Sequence, residues 1–407
     1  MTPQQRIAMP LGLTVTHQAL GAFFILSVPA TVPYFEAALS RPELVIGLFP
    51  SVAYLMAMVS SVLAYRCFPR FGPLGTSNFA ILIGLAGYLC LAVTTSWAFL
   101  IGAILMGIAY GPLNPSSSVV LYQLAPLRQR NVVFSLKQSG VPLGGAVAGL
   151  TLPFVANRLD YTGTIVVTAV MVAAILIAFW QQSHRIDTRL DTPGARTGAS
   201  AGAMFHFGCQ LLAAASFCYS FIQLVFSAFL GLIAYQFFDF SPVAAGVVLA
   251  VFHVSGIIGR PLWGLIADRL RRWWTVLPAI GVLTAVLTAA LVPLIRLDNP
   301  DPLLFYVLAA ALGLCASGWN GVYVAELANA VPSSALGSIT GKGLSVTFAG
   351  VVIGPITFGF MLETSGATVA LLGLAVIGMV GAGLGWAGVA VSRRIVRTGT
   401  DGAGSSA

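Results

Sequence analysis

The strongest restriction on this chain is a succession of apolar runs near or above ~18 residues, the length that crosses a bilayer as an α-helix, repeated along nearly all 407 residues. Composition agrees: 58% of residues are hydrophobic and 8% are charged, too few charges to solvate a globular surface of this size. The expected fold is an all-α polytopic membrane protein in contact with lipid throughout. The net charge of +8 does not point to nucleic acid, because the arginines fall in short loops between apolar runs. The five cysteines, Cys67, Cys90, Cys209, Cys218 and Cys315, lack metal-ligand spacing and read as free thiols. The N-terminus, MTPQQRIAMP, has no signal-peptide layout, so the first run is expected to remain as a helix.

Twelve spans are expected, at roughly 11–34, 44–65, 75–94, 98–121, 133–155, 162–181, 207–236, 243–266, 274–295, 303–326, 337–361 and 367–391. Residues 182–206 are rich in Gly, Ala, Ser, Thr and Arg and read as a linker. The expected organisation is therefore a six-helix bundle over 1–181, a cytoplasmic linker over 182–206, a second six-helix bundle over 207–392 and a disordered cytoplasmic tail over 393–407. Loops on one side hold Arg66, Arg70, Arg128, Arg130, Arg185, Arg189, Arg196, Arg269, Arg271 and Arg272, while the opposite side holds only Arg41, Arg158 and Arg296. That asymmetry places both termini in the cytoplasm, in a cell (inner) membrane.

The halves repeat each other. Gly107, Asn114 and Pro126 fall on Gly313, Asn320 and Pro332 at an offset of 206, and Lys137, Gly145 and Gly149 fall on Lys342, Gly350 and Gly354 at 205. Near-constant offsets imply pseudo-symmetric bundles in parallel register with a cavity between them.

In the eighth span His253, Gly256 and Arg260 stand at i, i+3 and i+7 and share one helical face. An arginine in an apolar span costs roughly 2.5–3.5 kcal/mol on insertion scales, so Arg260 should face protein or water. Lys137 and Lys342, the only lysines, lie ~8 Å inside their helices and are positioned to ring the inner mouth of the cavity or to snorkel to headgroups. Fixed charge within the spans is thus cationic, which favours an anionic substrate. His253 and His17 are the groups whose protonation changes near neutral pH, and each can alternatively be a neutral packed imidazole. Tyr34, Tyr54, Asn114, Tyr219, Gln223, Trp319 and Asn320 are candidate cavity contacts, with ordinary helix packing as the alternative. Gly145, Gly149, Gly350, Gly354 and Pro355 suit close and bendable helix contacts.

With these residues in view, the chain resembles the major facilitator superfamily. The loop Gly264-x-x-x-Asp268-Arg269-x-Arg271-Arg272 is similar to that family's signature, and Gly350-x-x-x-Gly354-Pro355 to its antiporter-type motif. In the first half Arg70-Phe71-Gly72 is kept, but Pro69 stands where the acidic residue belongs. The resemblance implies two pseudo-symmetric six-helix bundles and a gating role for Gly264, Asp268, Arg269, Arg271, Arg272 and Arg70. Gly259-Arg260-Pro261-Leu262-Trp263 resembles the arginine region of monocarboxylate and oxalate carriers, which implies that Arg260 grips a carboxylate.

No Walker loop, metal cluster or nucleophile elbow is present in the sequence, so no cofactor, metal or enzymatic activity is expected. The expected function is secondary transport of a small organic anion, a monocarboxylate, by alternating access with optional proton symport, in a protein working as a monomer. The alternatives are efflux of amphipathic compounds and a non-transporting membrane sensor.

Overall fold

The computed structural model describes residues 3–39, 41–125, 130–188, 190, 207–270, 275–297, 301–330 and 336–403. The first-half helices are α1 (Pro3–Thr31), α2 (Pro42–Leu63), α3 (Phe68–Phe71), α4 (Pro73–Cys90), α5 (Ser96–Tyr110), α6 (Leu113–Leu124), α7 (Arg130–Gln138) and α8 (Gly140–Asp187). The remainder are α9 (Phe207–Phe237), α10 (Pro242–Arg269), α11 (Val276–Leu294), α12 (Pro302–Ala316), α13 (Asn320–Ala330) and α14 (Leu336–Ala403). No strand occurs among the described residues, and the protein is an all-α polytopic membrane protein.

Local chemistry sets the starts. Pro42, Pro73, Pro242 and Pro302 open four helices, where a missing N–H costs nothing. Thr95 and Asp301 accept side-chain cap bonds from Ala98 N at 3.3 Å and Leu303 N at 2.9 Å.

Among the described residues, ten stretches are long and apolar enough to cross a membrane. Two of them, Leu136–Asp187 and Lys342–Arg393, are 52 residues each, about twice what a bilayer needs. Each is divided by one residue outside helical geometry: Asp160 (φ 71°, ψ 175°) and Gly366 (φ 79°, ψ 167°). Twelve spans result among the described residues. Asp160 and Gly366 are themselves 206 apart, so the turn is repeated with the sequence. Asp160 bears a side chain at positive φ; its Oδ1 accepts from Gly163 N at 2.6 Å and caps the span that follows.

The fourth and tenth spans, expected as continuous, are interrupted. α5 gives way to α6 at Gly111-Pro112, and α12 to α13 at Ser317-Gly318-Trp319. These breaks also correspond under the repeat.

Two compact units form. The first contains residues 1–196 and 227–254, the second 197–226 and 255–407. In the first, α1 lies along α8 and α4 packs on α5 and α8. Added methyl groups at Gly140 and Gly144 would sit 2.8 Å from Val15 O and 2.2 Å from Ala19 O, so only glycine permits that approach. In the second, α11 lies along α14. There Gly350 and Gly354 bring α14 against α9, where added methyls would sit 2.3 Å from Phe217 O and 2.8 Å from Phe221 O. Pro355 follows within the same stretch of α14. The helix continues to Ala403, through residues expected as tail. Of the expected linker, residues 189 and 191–206 lie outside the described residues.

Candidate functional site

The breaks in the fourth and tenth spans are where charge and polarity collect, and each unit builds its own cluster there. In the first unit the break at Gly111-Pro112 sets Tyr110 and Asn114 one turn apart. Lys137, near the end of α7, donates from Nζ to Asn114 Oδ1 and is 2% exposed. No carboxylate pairs with it among the described residues. Gln18 of α1 donates from Nε2 to Tyr110 Oη at 2.9 Å, while its Oε1 is buried without a partner. The Tyr54 ring meets Tyr110 edge-on at 5.6 Å. Lys137 thus lies inside the protein rather than at an open mouth, whereas Lys342 is exposed.

His17 is also buried in the first unit. Its Nε2 bonds Asn78 Oδ1 at 2.8 Å, and Nδ1 has no partner. An Nε2–H donating to the amide oxygen fits a neutral ring. Tyr34 Oη donates to Pro153 O at 2.8 Å and Asn157 Oδ1 at 3.0 Å.

His253, in the same unit, is buried against α8. A methyl on Gly145 would sit 2.6 Å from its Nε2 and Cδ2. One turn along α8, a methyl on Gly149 would sit 2.6 Å from Gly246 O, and one on Gly246 would sit 2.3 Å from Gly149 O. Gly145, Gly149, Gly246 and His253 therefore make one seam in which α8 and α10 touch backbone to backbone.

In the second unit the half-buried Arg260 donates from Nε to Ser317 O at 3.3 Å, a carbonyl freed by the break in the tenth span. Its side chain is turned to protein. The neighbours allow this: added methyls at Gly256 and Gly259 would lie 2.6 Å from Ser317 Oγ and 2.4 Å from Leu314 O, and Trp263 Nε1 donates to Leu314 O at 2.8 Å. Gln223 Oε1 accepts from Trp319 Nε1 at 3.0 Å and Asn320 Nδ2 at 3.3 Å, fixing the other side of the same break. Tyr219 donates to Leu277 O and Gly381 O at 3.1 and 3.2 Å inside the helix core.

Glu326 of α13 is buried with Oε1 unpartnered, and Arg393 acts on it electrostatically. Of the expected gating residues, Gly264 has open space around it, Asp268 and Arg269 end α10, and the exposed Arg70 lies over the Phe71 ring at 5.3 Å. Arg271 and Arg272 lie outside the described residues. One anchor had no sequence signal: Asp187, at the end of α8, accepts from Leu74 N at 3.0 Å and Gly75 N at 2.8 Å and caps α4. An apolar cleft lined by Val45, Phe49, Trp97 and Leu100 lies between α2 and α5 and holds no charged group.

The sequence model of the Major Facilitator Superfamily matches residues 15–294 and 212–403. The chain belongs to that superfamily. Its fold is correspondingly similar to the crystal structure of a bacterial homolog of the human lysosomal transporter Spinster, in an inward-facing and unoccupied conformation. The TM-score is 0.74 at 13% identity, over 97% of this chain and 98% of that one. A Staphyloferrin B transporter of Staphylococcus aureus (strain NCTC 8325 / PS 47) is 29% identical over 137 residues, 33% of this chain. The match spans 30% of that relative's length. Superfamily membership makes this a multi-pass membrane protein of a transporter family rather than an enzyme.

Proposed function

We propose that this superfamily member is a secondary transporter that moves a small organic anion, a monocarboxylate, across the inner membrane by alternating access, with both termini cytoplasmic. The observation that carries this reading is Arg260, turned into the second unit at the broken tenth span by its bond to Ser317 O. The bond from Nε to Ser317 O orients the side chain, and a guanidinium offers a planar fork that matches a carboxylate.

His253 is the proton carrier in this reading. Its ring is held at the α8–α10 seam by Gly145, where a small movement of either helix changes its access to water. His17, bonded to Asn78 inside the first unit, is a second candidate. The protein acts as a monomer, and Asp268 with Arg269 forms the cytoplasmic gate at the end of α10.

Uptake of labelled lactate into proteoliposomes tests this. Wild type should take up lactate, faster with a proton gradient, and Arg260→Ala should reduce uptake by about 10–100-fold, the loss of a charge-assisted bond. Equal uptake by the two proteins overturns the Arg260 assignment. Staphyloferrin B belongs in the same panel because a matched relative is named for it. Its flux without lactate flux would replace the monocarboxylate reading.

A further inference from the structure

Arg260 leaves the cation of the first unit unexplained. Lys137 is 2% exposed, donates to a neutral amide and has no carboxylate partner among the described residues. A buried, unpaired ammonium is strongly unfavourable, so an uncharged residue of similar shape would serve packing better. The ammonium also has three donors, and the bond to Asn114 occupies one.

The surroundings form a constructed polar corner. Asn114 and Tyr110 stand one turn apart across the break in the fourth span, and each is held from another helix: Asn114 by Lys137 of α7 and Tyr110 by Gln18 of α1. Gln18 packs against Gly140, one turn beyond Lys137, where an added methyl would sit 2.9 Å from its Cβ. Its Oε1 is an acceptor with no donor, in a residue that is fully buried. One corner therefore presents an ammonium with unused donors and an amide oxygen that lacks a donor.

We propose that Lys137 and Asn114, with Gln18, form an anion subsite within the first unit that takes a carboxylate bearing a hydroxyl group. The carboxylate replaces the missing counter-charge at Lys137. The hydroxyl accounts for the acceptor, donating to Gln18 Oε1. A neutral or cationic ligand brings no counter-charge to Lys137, and a carboxylate without a hydroxyl leaves Gln18 Oε1 unsatisfied. This deepens the anion-carrier reading by adding a binding group in the first unit, and it does not depend on Arg260.

The test is a binding titration of purified full-length protein in detergent with sodium lactate, sodium propionate and neutral lactamide. Wild type should bind lactate more tightly than propionate and should not bind lactamide. Lys137→Gln should weaken lactate by about 10–100-fold, the loss of a charge-assisted bond. Its ligand-free melting temperature should be unchanged or higher, since a buried charge is gone. Asn114→Asp should weaken lactate as strongly with the lysine still present, because the new carboxylate fills the place of the ligand. Gln18→Leu should erase the preference for lactate over propionate.

Three outcomes overturn the proposal: lactate binding by Lys137→Gln equal to wild type, a drop in its ligand-free melting temperature with binding retained, or equal wild-type affinity for lactate and propionate. Loss of binding in Arg260→Ala with full binding in Lys137→Gln would sink this subsite and leave the Arg260 reading standing. The reverse pattern would do the opposite. Absence of carboxylate binding by wild type removes both.

Discussion

The imidazole of His253 packs so close to Gly145 that a single methyl there would fall 2.6 Å from Nε2. Both groups are buried where α8 meets α10, so the ring can move only by displacing its neighbours. Gly145→Ala must therefore push the ring or part the helices, a strain of about 1–3 kcal/mol for an overpacked site. The expected result is a protein that inserts with normal helix content, loses most of its transport rate and melts lower. His253→Ala in the same background should restore the melting temperature, since it removes the clashing ring. A double variant as unstable as Gly145→Ala alone would show that the contact is not the cause.

The same seam gives a second expectation. At Gly149 and Gly246 the clash is with backbone, not with a side chain that can rotate away. Gly149→Ala and Gly246→Ala should each impair transport more than Gly145→Ala, without rescue by any substitution of His253. Uptake rates normalised to reconstituted protein decide this; equal impairment at all three positions would mean that bulk, not backbone contact, matters.

Asp187 and Gly72 make a third case, on the cytoplasmic side expected from the positive loops. Gly72 has φ +72°, and a methyl there would sit 2.4 Å from the Asp187 carboxylate that caps α4. Asp187→Ala leaves two backbone N–H groups without their acceptor and should lower stability by about 0.5–2 kcal/mol, the usual range for a lost cap. Gly72→Ala should cost more, because it combines a positive-φ penalty with a collision. Thermal melts in detergent would show the order; a Gly72→Ala protein as stable as wild type would contradict the geometry.

The parts of the fold that were legible in the sequence are those written in runs and intervals. Twelve spans follow from uninterrupted apolar length, and the repeat from the 206 offset, which recurs at Asp160 and Gly366. The breaks at Gly111-Pro112 and Ser317-Gly318 did not show in hydropathy, because the residues around them remain apolar. The identical pairs flanking them, Gly107 with Gly313 and Asn114 with Asn320, were there to be read, but Gly111-Pro112 falls on Ser317-Gly318, so the break residues themselves do not repeat. The depth of Lys137 was legible, but its burial was not: a snorkelling lysine and a buried one have the same sequence position, and only the rotation of α7 toward Asn114 separates them. Arg260 facing protein was anticipated from cost; its bond to Ser317 O needed the break. The Asp187 cap spans more than a hundred residues and begins where the chain already reads as linker, so no local pattern announces it.

Glu36 carries the prediction for pH. It lies in the connection between α1 and α2, outside the spans, with Oε2 buried and without a partner. Burial raises its pKa above the ordinary carboxylate value; a bond to Gln236 from the end of α9 opposes this, and the negative charge of Glu43 at the start of α2 adds to it. The folded protein therefore holds the Glu36 proton more tightly than the unfolded chain does. Stability from this group is full below the ordinary carboxylate pKa of ~4.3 and is lost as pH rises from there through the raised folded value. Glu36→Gln keeps the shape and the bond to Gln236 while removing the titration. It should melt at a higher temperature than wild type at pH 7 and at the same temperature near pH 4. A Glu36→Gln protein less stable than wild type at pH 7 would mean that the ionised carboxylate, not the neutral acid, is what this contact between α9 and the first connection requires.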